Sequence, residues 1–300
     1  MANIKTKTGI MRAVVILVFF IFIASIVSYY RSNISYFIMF ISIGIFSSIT
    51  EFAIAVNSKK AQLIRRINLV SIALFIVILA LVIGINFQYQ QVFIDLYSAC
   101  ITGALIQFIV ARLLLPFLFG NIFCSRVCWD SVFFDFFDAK KKKLKKKSPG
   151  RALIAFILLL IFTLGSCFFV VNHSFNSFNS SENRIRFIFA NIVIIFVGLV
   201  LSRIIGSRAY CRKICPFITI SGMISPFALF KVTPVQSDKC VRCGKCNAVC
   251  PMHIDVQDFV IHSKRINHPD CIMCEQCVHI CPKDCLMVSV PKKNKSLLSD

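Results

Sequence analysis

Charge is scarce in this chain: 16 % of its 300 residues are Asp, Glu, Lys or Arg, against 57 % hydrophobic residues. That ratio excludes an ordinary soluble protein, because several stretches of about 20 residues carry almost no charge, the length that crosses a bilayer core. Acid is scarcer still. Thirteen Asp and Glu stand against 34 Lys and Arg, a formal net charge of +21. Such an excess would suit nucleic acid, but the cations fall in short runs between apolar segments, where membrane topology places them. Membrane lipid, not nucleic acid, is the expected partner. Histidine is nearly absent. None of His173, His253, His262, His268 and His279 lies within an apolar span, which excludes an intramembrane bis-histidine haem. A clear small-x-small cleavage site is also lacking, so the apolar stretch that begins near Lys5, Lys7 and Arg12 reads as an uncleaved first transmembrane helix.

Apolar runs and cysteine are what the chain has instead. Six spans are expected, roughly Ile10–Tyr30, Ile34–Val56, Ile67–Phe87, Val92–Leu118, Ala152–Val171 and Phe187–Ile205. Segments of this length are helices, since lipid offers backbone amides no other partner unless a barrel closes. One set of loops carries Lys59, Lys60, Arg65 and Arg66, then Lys140–Lys143 and Lys145–Lys147, then Arg208, Arg212 and Lys213. The opposite set carries Arg31, Arg184 and Arg186. By the positive-inside rule the first set is cytoplasmic, with both termini, in an inner or plasma membrane. The expected organisation is a transmembrane domain over 1–216, an interfacial connector over 217–237, and a small cytoplasmic unit over 238–300. The last is too short to fold securely on apolar burial alone, so bound metal would supply the missing stabilisation.

Fifteen cysteines would suggest disulfides in a secreted chain, but most of them here fall in metal-ligand spacings, which require thiolates. "CVRCGKCNAVCP" (Cys240 to Pro251) and "CIMCEQCVHICP" (Cys271 to Pro282) both read C-x2-C-x2-C-x3-C-P. In that run three close thiolates hold one cubane cluster and the fourth serves the other cluster. Cys240, Cys243, Cys246 and Cys281 are thus expected to hold one [4Fe–4S] cluster, and Cys271, Cys274, Cys277 and Cys250 a second. Zinc also takes C-x2-C pairs, but two complete four-cysteine runs, each closed by proline, disfavour it. Cys285 reads as a structural spare, and Cys100 and Cys167 as small apolar residues within spans.

These runs, behind a set of membrane helices, resemble the NapH/NosR-type membrane iron–sulfur proteins. Such proteins also carry two C-x3-C-P motifs on the ferredoxin side, often after Arg-x-aromatic. "RAYCRKICP" (Arg208 to Pro216) matches that motif fully. "NIFCSRVCWD" matches in part, with Asn121 for the arginine and Trp129 for the proline. The first two spans read as additions to a four-helix core. The resemblance implies a polytopic α-helical membrane protein of about six spans with a small cytoplasmic α+β two-[4Fe–4S] ferredoxin-like domain. It also implies electron transfer to or from a quinone pool or partner reductase, as a subunit and not a stand-alone enzyme. The CcoG-type branch implies the alternative, an accessory factor for maturation or metal reduction.

Cys124 and Cys128 follow the fourth span, and Cys211 and Cys215 follow the sixth, at equivalent helix ends. The unit between them reads as a weak repeat, with Phe123 matching Tyr210. Four readings stay open for this quartet: an additional iron–sulfur or other redox centre, a redox-active dithiol site, acylation, or structural packing. Arg208, Arg212 and Lys213 would offset thiolate charge and lower thiol pKa values. Glu51, a carboxylate well inside a span, is a candidate for proton or quinone chemistry. "WDSVFFDFFD" places Trp129, Val132, Phe133, Phe136 and Phe137 on one face of an expected surface helix. The lysine run after it would touch anionic lipid or an acidic electron carrier.

Overall fold

The computed structural model describes residues 2–31, 34–84, 87–97, 103–136 and 180–291. The expected fifth span, the lysine run at 140–147, Phe137, Cys100 and Cys167 lie outside them.

The chain opens with α1 (Ala2–Arg31) and α2 (Ile34–Val56), packed antiparallel at close range. Two glycines set that distance. A Cβ on Gly9 would stand 2.4 Å from Ala55 Cβ, and one on Gly44 would stand 2.5 Å from Phe20 Cβ. In lipid, where apolar side chains gain little by meeting one another, small residues of this kind let backbones approach. Ser48 Oγ adds a cross-helix hydrogen bond to Ala13 O at 2.9 Å. After α3 (Ala61–Ile83) come α4 (Tyr89–Tyr97) and an apolar stretch over Gly103–Phe119.

That stretch is not a uniform α-helix. Between α5 (Gly103–Phe108) and α6 (Leu115–Phe119), residues Ile109–Leu114 form a π-helical turn, where Leu115 N donates to Val110 O. Pro116 explains it. Proline has no N–H to give the carbonyl one α-helical turn back, and a π-bulge absorbs the resulting break. The turn carries Arg112 into the interior, where it is buried.

The apolar stretch ends at Gly120, whose φ of +61° suits glycine. Two short helices follow, α7 (Ile122–Arg126) and α8 (Asp130–Phe136). Helix α9 (Ser180–Ile205) leads to α10 (Ala209–Lys213) and α11 (Pro216–Ile224). Among the described residues, four stretches are long and apolar enough to cross a membrane: Thr6–Tyr30, Tyr36–Val56, Ser58–Val82 and Phe187–Ile205. They correspond to the first, second, third and sixth expected spans. The fourth, Val92–Leu118, is described as α4 and the 17-residue stretch over Gly103–Phe119.

The cysteine-rich unit starts earlier than its cysteines suggest. Strand β1 (Lys231–Pro234) falls in the stretch expected to be a connector. It pairs antiparallel with β2 (Leu286–Ser289), with Val232 opposite Val288. Both valines are buried, so the β-branched alternation closes the unit around the cysteine runs. The segment just before β1 is docked as well. Leu229 N and Phe230 N donate to the carbonyls of Phe117 and Leu118 at 2.9 and 2.8 Å, and Phe230 stacks on Phe119 with centroids 5.1 Å apart. The unit therefore sits against the end of the apolar stretch.

Helix α8 is amphipathic in a further sense, because it also carries a buried polar residue. Its buried face is Ser131, Phe134 and Asp135, while Phe133 and Phe136 are exposed. Asp135 turns inward because Arg65 and Arg208 both pair with it. Phe134 follows into the space above Gly198, where a Cβ would meet its ring at 2.1 Å.

Candidate metal centres

The two cysteine runs fold to one backbone pattern, offset by 31 residues. Arg242, Gly244 and His253 have φ of +51°, +69° and +54°; Met273, Glu275 and Asp284 have +52°, +60° and +51°. Left-handed residues among right-handed ones turn successive amides toward one side, making a cradle for anionic atoms. The sulfurs occupy it. Ile254 N donates to Cys250 Sγ at 3.4 Å, and its counterpart Cys285 N donates to Cys281 Sγ at 3.3 Å.

Two cavities in the unit each take three cysteines from one run and one from the other. The outer cavity is lined by Cys240, Cys243, Cys246 and Cys281. Cys285 lines it too and is itself buried. The inner one is lined by Cys271, Cys274, Cys277 and Cys250. Four thiols from the two runs at each cavity, with amides directed at sulfur, are donor chemistry that suits an iron–sulfur cluster. Among the described residues no group of three or more His, Cys, Asp or Glu converges as a single metal ion would need. The cavities face different ways. Cys243 of the outer set is exposed to solvent, while the inner set adjoins the membrane helices, where Gln62 Nε2 of α3 donates to Cys274 O at 3.1 Å.

The structure brings the two CxxxC turns together, and they too are copies. In one, Val127 N and Cys128 N both donate to Phe123 O at 3.0 Å; in the other, Ile214 N and Cys215 N donate to Tyr210 O at 2.9 and 3.0 Å. Arg112 lies between them. Its Nη1 donates to Cys124 Sγ at 3.1 Å, and its guanidinium is sandwiched between Phe123 and Phe217, 4.2 and 4.5 Å from the ring centroids. Burial pushes the Cys128 thiol up to about 12, with Asp130 adding and Arg112 opposing. It also pushes Cys215 up to about 11 and Cys211 well above the ordinary thiol value. The nearby cations do act to lower these thiols, as expected, but desolvation outweighs Arg112 and Arg208 and the net shift of all three is upward. Such thiols lose their protons to a bound metal more readily than to water.

The backbone of "FCSRVCWD" is held from three sides. Arg208 Nη1 donates to Cys124 O at 3.0 Å, Arg65 Nη1 to Ser125 O at 2.9 Å, and Asn68 Nδ2 to Arg126 O at 3.1 Å. Arg65 and Arg208 share Asp135, which these two arginines hold below the usual carboxylate range against a burial effect that would raise it. Asn121 and Trp129, the two departures from the fuller motif, each have a place. Asn121 Nδ2 donates to Pro269 O at 2.6 Å, and Trp129 packs between Phe87 and Phe187 at centroid distances of 6.4 and 6.3 Å.

Glu51 does not stand alone. It is fully buried and ion-paired with Arg12 and Arg126, and both arginines also bond Glu275 Oε1, at 2.7 and 2.8 Å. The four charges form a closed alternating ring joining α1, α2, the first CxxxC turn and the second cysteine run. Burial would raise the Glu275 carboxyl, but Arg12 and Arg126 outweigh it and hold it down to about 2.

Residues 234–282 match the family model of the 4Fe-4S dicluster domain. Residues 101–147 and 188–233 match that of the 4Fe-4S binding domain, one stretch for each CxxxC turn. The chain is 21 % identical to the ferredoxin-type protein NapH of Escherichia coli, over 64 % of this chain and 68 % of NapH. Together with the two family models, this likeness supports a NapH-type 4Fe–4S membrane protein. Protein MJ0750 of Methanocaldococcus jannaschii is 27 % identical over 79 % of this NapH-type chain and 99 % of its own length. The methylamine utilization ferredoxin-type protein MauN of Paracoccus denitrificans is 31 % identical over 19 % and 20 %. No solved structure matches. This NapH-type chain is therefore a membrane protein of iron–sulfur electron transfer.

Sequence reasoning passed over Arg112, Arg126, Asp135 and Glu275. The available signal was charge in the wrong place: Arg112 interrupts an expected span, and Arg126 and Glu275 sit between paired cysteines.

Proposed function

We propose that the protein carries electrons between a redox partner at its outer cysteine cavity and a quinone pool or partner reductase at the membrane. The observation behind this reading is the order of the cysteine groups in space. Solvent-exposed Cys243 marks the outer cavity, the inner cavity abuts α3 through Cys274, and Arg212 lies in the electrostatic reach of both Cys250 and Cys211. In this reading Cys240, Cys243, Cys246 and Cys281 hold one [4Fe–4S] cluster, and Cys271, Cys274, Cys277 and Cys250 hold the other. Cys124, Cys128, Cys211 and Cys215 hold an additional redox centre around Arg112. Bound iron–sulfur clusters supply reversible one-electron exchange. The chain's own residues exclude water from the inner groups, hold the CxxxC carbonyls in place, and balance thiolate charge with Arg112, Arg208 and Arg126. Glu51 serves here as the partner of Arg12 and Arg126. The unit and both termini face the cytoplasm, six spans cross the membrane, the transmembrane domain ends near 216, and the cysteine-rich unit begins with β1 at Lys231.

Iron and sulfide analysis with EPR, beside a variant with all four CxxxC cysteines changed to serine, tests the proposal. More than about eight iron atoms in the wild type, falling to about eight in the variant, is the expected result. About eight in both would remove the additional centre. Reduction of another protein's metal without turnover of quinone would favour the accessory role.

A further inference from the structure

No family model covers the N-terminal helix pair; the matches begin at residue 101. We propose that α1 and α2 form a clamp on the iron–sulfur unit, and that Glu275 is the positioning residue through which they hold the inner cysteine cavity against the first CxxxC turn. The inference rests on the reading above in one respect only, that the inner cavity carries a cluster.

Three observations carry it. Glu275 occupies the left-handed position that the first run gives to glycine, Gly244, so the backbone needs no glutamate there and a side chain is disfavoured. What the residue gains is two buried ion pairs, to Arg12 of α1 and to Arg126 of the turn that holds Cys124 and Cys128. Glu51 of α2 closes the same ring from the other side. The clamp also has a second contact, because α1 packs against β2, the strand that closes the unit. Glu275 lies between Cys274 and Cys277, so its charge acts on the inner cavity far more than on the outer one.

Charge gives the proposal a signature that mere destabilisation lacks. Removing a negative charge beside a centre favours its reduced form, and removing a positive charge disfavours it. The full-length protein, purified with its iron, would be compared with Glu275→Gln, Glu275→Gly, Arg12→Gln and Arg126→Gln. Iron content, EPR-monitored redox titration and hydrogen exchange would be read for each. Both Glu275 variants should keep their iron, since glycine is what the sister run uses. The midpoint of the inner centre should rise in Glu275→Gln and fall in Arg12→Gln and Arg126→Gln, with the outer centre unmoved. A tenfold change in the reduction equilibrium would be a shift of about 59 mV for one electron. Exchange should quicken both around Arg12 and over 271–281.

Shifts of the same sign in glutamate and arginine variants, or none, would overturn the proposal. So would loss of inner-centre iron in Glu275→Gly. Absence of any inner cluster from the wild type would sink the functional reading instead. The exchange result would then decide the clamp by itself, with unchanged exchange overturning it.

Discussion

The two cysteine runs share φ to within 9° at every paired left-handed position, yet they do different work. The first turns Gly244 and the exposed Cys243 to solvent; the second turns Glu275 into a buried ring of arginines and carboxylates. A common cradle fixes what each run can hold. The difference between Gly244 and Glu275 at the cradle's rim fixes where each is held.

Cysteine replacement sharpens that comparison most. Cys281→Ser should damage the centre that Cys240→Ser damages, and Cys250→Ser the one that Cys271→Ser damages, each losing about four iron atoms. EPR of the remaining centre checks it; a Cys281 variant that spares the Cys240 centre would break the crossed arrangement. Next in size is Asp135→Ala, which leaves Arg65 and Arg208 buried beside each other. Removing one partner of a buried pair costs about 3–5 kcal/mol, measured as a lowered unfolding midpoint in detergent. An unchanged midpoint would mean that water replaces the carboxylate.

A smaller effect is expected when the runs are made alike from the other direction. Gly244→Glu puts a side chain at φ +69° without arginine partners, at a cost of roughly 1–2 kcal/mol. A costless substitution would show that the rim position tolerates any residue. The least effect is one of pH. Glu275 is held at about 2 against an ordinary 4.5, so its contribution is full above about 4.5 and fades only as pH falls toward 2. The stability difference between wild type and Glu275→Gln should therefore be flat from about pH 8 to 5. A slope in that interval would point to His279, 3.9 Å from Glu275 Oε2, as the titrating group.

What was legible in the sequence follows contact distance along the chain. The C-x2-C-x2-C-x3-C-P runs and the paired CxxxC turns are local patterns, and each turn closes on its own residues, as Phe123 O and Tyr210 O show. Apolar length revealed α1, α2, α3 and α9 for the same reason. Spacing could not reveal that Arg12 meets Glu275, 263 residues away, or that Asp135 turns the face of α8 inward to reach Arg65 and Arg208. Pairs like these depend on how elements dock. Their trace in the sequence is a charge that apolar periodicity leaves unexplained.

The crossing of the cysteines between runs has a consequence for the order in which the protein is made. Neither cavity has its full set until the second run has been synthesised, because the outer one needs Cys281 and the inner one needs Cys271, Cys274 and Cys277. Strand β2, which closes the unit, comes later still. By then α1 and α2 have long since left the ribosome and can already pair through Arg12 and Glu51. Metal loading is thus a late event on a chain whose membrane helices are already in place, and a chain stalled before residue 271 would be inserted with neither cavity complete.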